Sequence, residues 1–398
     1  MKLAFLTILA TAVSAATRFN GLNYNPKRPD GTCPILSDVK LDFSNLQPYT
    51  DTVRIYSVKD CNQGEPVLRA AEGTNWKIYL GMWVEGNDAS YEADKAEIIR
   101  LSSVFDLKKN VKAIVVGSEA IYRKQQTSSQ IADKVKDMKS VLAGLGLSSI
   151  PVTAAETWPF YDQILINAVD FIMVHIFPFW EGFEVSASND VIFNHIYDLK
   201  KIANGKSIVV GETGWPTDGD NYQNSVPSIQ NSLEYMSKFI CRSISEKQDY
   251  LWFAAMDTPW ASTNNASNVE QNWGILKSDY KTPKYSGDTW FDCSKVDFSS
   301  SPSSSSSSSS AASSTRVNSQ SSSSSSSIAS STRASSQSDS TAGTNTATNT
   351  SMGSTTTSRS SSSGPTSLPS STSSGSSLSS SPLLGFYKSI HNLISLFI

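Results

Sequence analysis

Eight short apolar runs rich in β-branched residues recur along the chain, at 19–24, 52–56, 76–83, 113–116, 151–154, 171–176, 207–210 and 251–256. Stretches with helical spacing separate them. Ile131, Val135, Met138 and Leu142 return every three or four residues, as do Leu233, Met236 and Ile240. Strand runs that are apolar throughout, rather than alternating, belong to parallel strands covered on both faces. Eight such units predict a closed (β/α)8 barrel, with a doubly wound open sheet as the alternative.

The two ends of the chain do not fit that pattern. Met1 and Lys2 begin a short positive region, residues 3–13 are apolar, and Val13-Ser14-Ala15 supplies small residues. The apolar stretch is too short to span a bilayer, so residues 1–15 read as a cleaved secretory signal. From 299 to 374 serine dominates, with threonine and alanine. Such a segment has almost nothing apolar to bury, cannot repay its ordering entropy, and is expected to be a disordered, O-glycosylated stalk. Residues 375–398 begin at small residues and end in an apolar segment, the pattern of a GPI-attachment signal, although Lys388 and His391 interrupt it. Residues 16–298 remain for the barrel, a length ordinary for that fold.

The net charge of −3, from 33 basic and 36 acidic residues, comes with no basic cluster and argues against a nucleic-acid partner. Cys33, Cys61, Cys241 and Cys293 all fall inside the barrel region, and an even count in an exported chain predicts two disulfides. Three pairings are open. Proximity in sequence favours Cys33–Cys61 and Cys241–Cys293. Asn265 and Asn349 head glycosylation sequons. Only three histidines are present, without metal-ligand spacing, and no glycine loop suits a phosphate. No metal or cofactor is expected, and the barrel is expected to be monomeric.

In a parallel barrel the chemistry lies just past the carboxyl ends of the strands. Glu85, Glu119, Glu156, Glu212 and Asp257 follow strands three, four, five, seven and eight, and Trp83, Trp158, Trp180, Trp215 and Trp260 lie near the same rim. Two of these segments are alike. Ile114-Val115-Val116-Gly117-Ser118-Glu119 and Ile208-Val209-Val210-Gly211-Glu212 each run from β-branched residues through glycine to glutamate. A carboxylate at the end of a buried strand loses solvation and needs a reason to be there. Two facing one another can open an acetal, one protonated to release the leaving oxygen and one ionised.

On these residues the chain resembles glycoside hydrolase family 17. VVGETGWP at 209–216 is similar to that family's nucleophile motif and VVGSE at 115–119 to its acid/base motif. GLNY at 21–24, VHIFPFW at 174–180, MDTPW at 256–260 and EQNWG at 270–274 resemble further segments of it, so the likeness spans the barrel. The resemblance implies a retaining β-1,3-glucan hydrolase or glucanosyltransferase, with Glu119 as acid/base and Glu212 as nucleophile. Substrate contacts are expected from Tyr24, Ser118, Phe177, Trp215, Glu270 and Trp273. Ser118 departs from the asparagine usual before the acid/base glutamate. That weakens the contact to the sugar 2-hydroxyl and keeps one rival in view, a non-catalytic glucan-binding wall protein.

Several of these residues also have ordinary structural readings. Glu85, Glu156 and Asp257 read as loop-orienting carboxylates, Trp158, Trp180 and Trp260 as site wall or packing in equal measure, and His175 as a hydrogen-bonded barrel residue. Tyr24 and Phe177 read as site walls more than Tyr56 does.

Overall fold

The computed structural model describes residues 18–25, 27–261, 268–287 and 290–296. The signal, stalk and GPI-attachment segments lie outside the described residues, as do Asn265 and Asn349.

Eight parallel strands close into a barrel in sequence order: β1 (Leu22–Asn23), β2 (Thr52–Arg54), β3 (Lys77–Met82), β4 (Val111–Ser118), β5 (Val152–Thr157), β6 (Ile172–His175), β7 (Ile208–Thr213) and β8 (Asp249–Trp252). Helices α1 (Leu36–Leu46), α2 (Gly64–Ala71), α3 (Ala89–Val104), α4 (Leu107–Asn110), α5 (Ser128–Gly144), α6 (Gln163–Ala168), α7 (Val185–Ile202) and α8 (Ile229–Glu246) fill the connections. Their starts follow from side-chain chemistry. Thr127 and Gln130 form a reciprocal capping box at α5, and Asp162 and Ser228 accept backbone N–H groups at α6 and α8.

The alternation of each strand builds two cores. Outward residues such as Ile114, Val116, Ile208 and Val210 pack beneath the helices. Inward residues Tyr79, Ala113, Val115, Ala155, Met173, Val209 and Leu251 form a small apolar plug inside the barrel. This is why the strands read as continuously apolar. Above the plug the interior turns polar, with Asn23, Arg54 and His175 buried at the strand ends.

Both cystines pair as sequence proximity suggests, Cys33–Cys61 and Cys241–Cys293. The second ties the segment after the barrel to α8.

The last strand differs from expectation. The ladder ends at Trp252, and 253–256 continue as apolar chain that leaves the barrel wall. Ala254 N–H bonds to Trp273 O and Ala255 N–H to Asn23 O, while Met256 bridges to Leu276. Those residues are apolar because they are buried in the core beyond the barrel wall, and apolar character alone does not distinguish such a segment from a strand.

Candidate active site

Each of the two matching segments ends in a local irregularity. On β4 the pairing with β5 slips between Val115 and Ser118, where Gly117 adopts φ +78°. On β7 the pairing with β6 places Val174 beside Val210 but His175 beside Glu212, so Gly211 is the extra residue of a bulge. A Cβ on Gly211 would stand 2.5 Å from Met173 Cγ, so only glycine fits there. The bulge brings Glu212 onto the inward face that His175 already occupies. Glu119 itself sits at φ +57°, a left-handed conformation that costs a non-glycine residue about 1–2 kcal/mol. Its backbone N–H is held by Ala155 O at 2.9 Å and its carbonyl by Arg123 N–H at 2.8 Å.

The two carboxylates meet. One oxygen of Glu119 and one of Glu212 lie within 4.8 Å of each other, with His175 between them. Arg54, 1 % exposed, reaches up from β2 and donates from Nη1 to Glu212 Oε1 at 2.9 Å and from Nη2 to Ser118 Oγ at 3.1 Å. The same Nη1 lies 2.8 Å from His175 Nε2, and His175 Nδ1 lies 2.7 Å from Glu119 Oε1. A guanidinium only donates, so Nε2 must accept. Burial pushes His175 down to about 3, which keeps the ring neutral, with its one proton on Nδ1. Nδ1–H therefore donates to Glu119 Oε1. Glu119 Oε2 is buried without a partner among the described residues, so a proton on this carboxyl belongs on that oxygen.

Burial raises Glu119 to about 7 against the pull of Arg123 and Arg54. Burial raises Glu212 as well, but Arg54 at 2.9 Å favours its ionised form. Since His175 is neutral, that guanidinium is the permanent cation opposing the shift. Glu119, His175 and Glu212 have the donor types of a metal centre. The Arg54 guanidinium already bonds to two of the three, so the cluster's positive charge comes from the chain itself.

A cleft opens over the pair, lined by Ser118, Glu119, Glu212, Phe177, Glu270 and Trp273 among others. Six of the eight residues expected at the site thus face one cavity. Tyr24 and Trp215 do not. Asn23 points inward, donating to Gly211 O at 3.0 Å, so its neighbour Tyr24 must point outward. Tyr24 donates to Asp42 on α1 and packs on Phe43. Trp215 is fully buried against Phe179 and Tyr235, with its indole N–H on Val226 O. Both brace the wall from behind.

Further residues complete the cleft. Tyr56 lies beside Glu212, where its hydroxyl favours the ionised carboxylate, and under the Arg54 guanidinium. Trp83, Tyr122, Trp158, Trp180 and Glu181 line the cavity further out. Arg54 carried an unused signal, an arginine inside the otherwise apolar strand 52–56. Glu156 turns away from the cleft, accepting the backbone N–H groups of Ile121, Tyr122 and Thr157. It orients the loop after β4. Asp257 forms a buried ion pair with Lys284.

Residues 21–274 match the model of the BtgE/BtgC glycoside hydrolase domain. A glucan 1,3-β-glucosidase of Candida albicans is 32 % identical over 311 residues, covering 73 % of this chain and all of that protein. One from Saccharomyces cerevisiae is 32 % identical, covering 69 % and 95 %. Among solved structures, a glycoside hydrolase family 17 β-1,3-glucanosyltransferase from Rhizomucor miehei aligns with TM-score 0.61 at 31 % identity, covering 67 % and 96 %. Its active-site mutant with laminaritriose aligns at 0.62. With the glutamates, the bulged strands and the barrel all inside the matched span, the chain belongs to the BtgE/BtgC glycoside hydrolase domain family.

Proposed function

We propose that the chain is a retaining glycosidase of β-1,3-glucan, with Glu119 as acid/base and Glu212 as nucleophile. The observation that carries this reading is the approach of the two carboxylates to within 4.8 Å. Retaining enzymes hold such groups about 5–5.5 Å apart, whereas inverting ones need about 6.5–9.5 Å to admit a water. Glu212 attacks the anomeric carbon as the bond to the glycosidic oxygen breaks. Glu119 Oε2–H gives its proton to that departing oxygen. The ionised Glu119 then takes a proton from the acceptor, whose oxygen displaces Glu212 from the sugar. Water as acceptor completes hydrolysis, and a glucan hydroxyl completes transfer. Phe177 and Trp273 offer apolar faces to the sugar, Ser118 and Glu270 polar contacts.

The chain's ends support action outside the cell. The signal at 1–15 exports the protein, the stalk at 299–374 holds the barrel off the surface, and 375–398 directs a GPI anchor, so that the barrel acts in the cell wall or at the outer face of the plasma membrane. Phospholipase release of surface protein tests the anchor.

Incubating the purified chain with laminari-oligosaccharides tests the activity. Shorter products alone mean hydrolysis, and longer ones mean transfer. An unchanged ladder with retained binding would leave the glucan-binding rival. Glu212→Ala is expected to abolish turnover while the fold persists, and wild-type turnover in that variant would remove Glu212 from its role.

A further inference from the structure

Glu119 keeps its left-handed backbone, at φ +57°, because the peptide groups on both sides of it are pinned, and Arg123 reaches both. The Arg123 guanidinium donates to Ser118 O from Nη2 at 3.0 Å and from Nε at 3.3 Å. Its backbone N–H donates to Glu119 O at 2.8 Å. With the Glu119 N–H on Ala155 O, neither peptide plane is free to turn, which is the condition under which a strained conformation persists. The same guanidinium bonds from Nη2 to Val84 O at 2.9 Å, and its carbon lies 4.3 Å from the centre of the Trp83 ring. It thus ties the acid to the chain just past β3, where Trp83 lines the cleft.

This task suits arginine and not lysine. Nη1 donates to Gln125 Oε1, so the fork serves Ser118 O, Val84 O and Gln125 while its flat face covers an indole. A single ammonium cannot do both. All these acceptors are neutral oxygens, and among the described residues no carboxylate lies in ion-pair contact with Arg123. Its charge is left for neighbours beyond contact. Arg54, by contrast, is paired with Glu212 at 2.9 Å. Of the charges that oppose the effect of burial on Glu119, Arg123 stands ahead of Arg54. The two guanidiniums thus divide the two carboxylates between them.

A double displacement uses Glu119 twice. After giving its proton to the departing oxygen, the carboxylate stays ionised and buried until it takes a proton from the acceptor. A cation held nearby but out of contact supports that state and leaves the carboxylate oxygens open. We propose, resting on the glycosidase reading above, that Arg123 is the positioning residue of the acid/base: it locks the turn that aims Glu119, joins that turn to Trp83, and supplies the positive charge beside the ionised carboxylate. The other titratable groups around Glu119 are Arg54, Tyr56, Glu156, His175, Glu212 and Glu270.

Arg123→Lys keeps the charge and loses the fork, whereas Arg123→Gln keeps an amide donor and loses the charge. In the lysine variant kcat on laminarihexaose is expected to fall about tenfold with KM little changed, because a misaimed acid slows the step more than it weakens binding. The alkaline limb of kcat/KM stays where it is. In the glutamine variant that limb is expected to move up by about half a pH unit, since the carboxyl loses a charge that favoured its ionised form. Wild-type kcat in the lysine variant, or an unmoved limb in the glutamine variant, overturns the proposal where the circular dichroism spectrum is retained. An arginine that only stabilised the fold would leave the limb in place in both. The charge is also read without turnover. In the full chain the carbon-13 carboxyl resonance of Glu119 is expected to titrate about half a unit higher in Arg123→Gln than in the wild type, and coincident midpoints overturn the proposal. If neither variant folds, the Arg123 Nε resonance of the wild-type protein is expected to shift through the Glu119 midpoint, and a resonance that stays still there overturns it. Wild-type protein that leaves every oligosaccharide uncut defeats the glycosidase reading instead, and these titrations still decide the place of Arg123.

Discussion

Replacing His175 with leucine removes the N–H that meets Glu119 Oε1 at 2.7 Å. A hydrogen bond to an ionised group contributes about 1.5–3 kcal/mol and one to a neutral group about 0.5–1.5 kcal/mol, so the donor favours carboxylate over carboxyl by about 1–1.5 kcal/mol. At 1.36 kcal/mol per pH unit, its loss raises the carboxyl by about one unit. Glu119 already stands at about 7 through burial. The descending alkaline limb of kcat/KM, which reports loss of the acid's proton in the free enzyme, is therefore expected to move from near pH 7 to near pH 8. The maximum itself should drop by about 10- to 100-fold, since the proton is no longer confined to Oε2 and Arg54 loses one acceptor. Asparagine in place of His175 puts an amide N–H near Nδ1 and is expected to return the limb toward pH 7. The assay is the pH profile of oligosaccharide cleavage for the three proteins, with circular dichroism confirming the fold. An alkaline limb that stays in place, or moves down, in the leucine variant would refute the assignment of Nδ1–H as the donor.

The remaining outcomes concern stability. Burial, together with the nearby Glu119 charge, raises Glu156 to about 8. The folded state then holds a proton that an unfolded glutamate releases near pH 4.3. That stabilisation is complete below about pH 4 and is lost as pH rises toward 8, so thermal melts should fall across this window. Glu156→Gln should flatten the decline by an amount on the order of a few kcal/mol, and an identical slope in the variant would count against it. Replacing Cys241 and Cys293 by alanine opens a loop of sequence separation 52. The chain-entropy relation gives a loss of about 4 kcal/mol, and calorimetry should show a melting temperature lower by about 10 °C. A shift under a degree would mean that the unfolded chain is not what this cystine constrains.

How much of this was legible in the sequence depends on the residue's neighbours. Barrel strands buried on both sides need apolar residues at every position, so the eight runs stand out, and so do two glutamates that interrupt matching runs after a glycine. What a sequence run hides is which face each residue takes. A one-residue shift inverts the alternation, and it separates the two tyrosines that were weighed against each other. Asn23 is inward, so Tyr24 is outward against α1. Arg54 is inward, so Tyr56, two residues on, is inward as well and meets the nucleophile. Trp215 lies beyond the β7 bulge, where strand alternation no longer orders the chain, and it turns beneath Phe179.

The same reasoning gives Arg54 its place in the design. A permanent cation inside a barrel is costly unless its hydrogen bonds are met. Here the two terminal nitrogens bond to Glu212, His175 and Ser118, three groups that the chemistry also needs in fixed positions, while Nε has no partner among the described residues. One buried charge thus favours the ionised nucleophile and fixes the histidine tautomer, which directs the acid's proton to Oε2. Serine at 118 enters the same network through a single hydroxyl that accepts from Arg54 Nη2. That oxygen keeps a lone pair and its own proton for a sugar hydroxyl, so a shorter side chain before the acid remains compatible with turnover. Ser118→Ala should then weaken both the guanidinium's anchorage and the sugar contact, where a merely space-filling serine would lose neither.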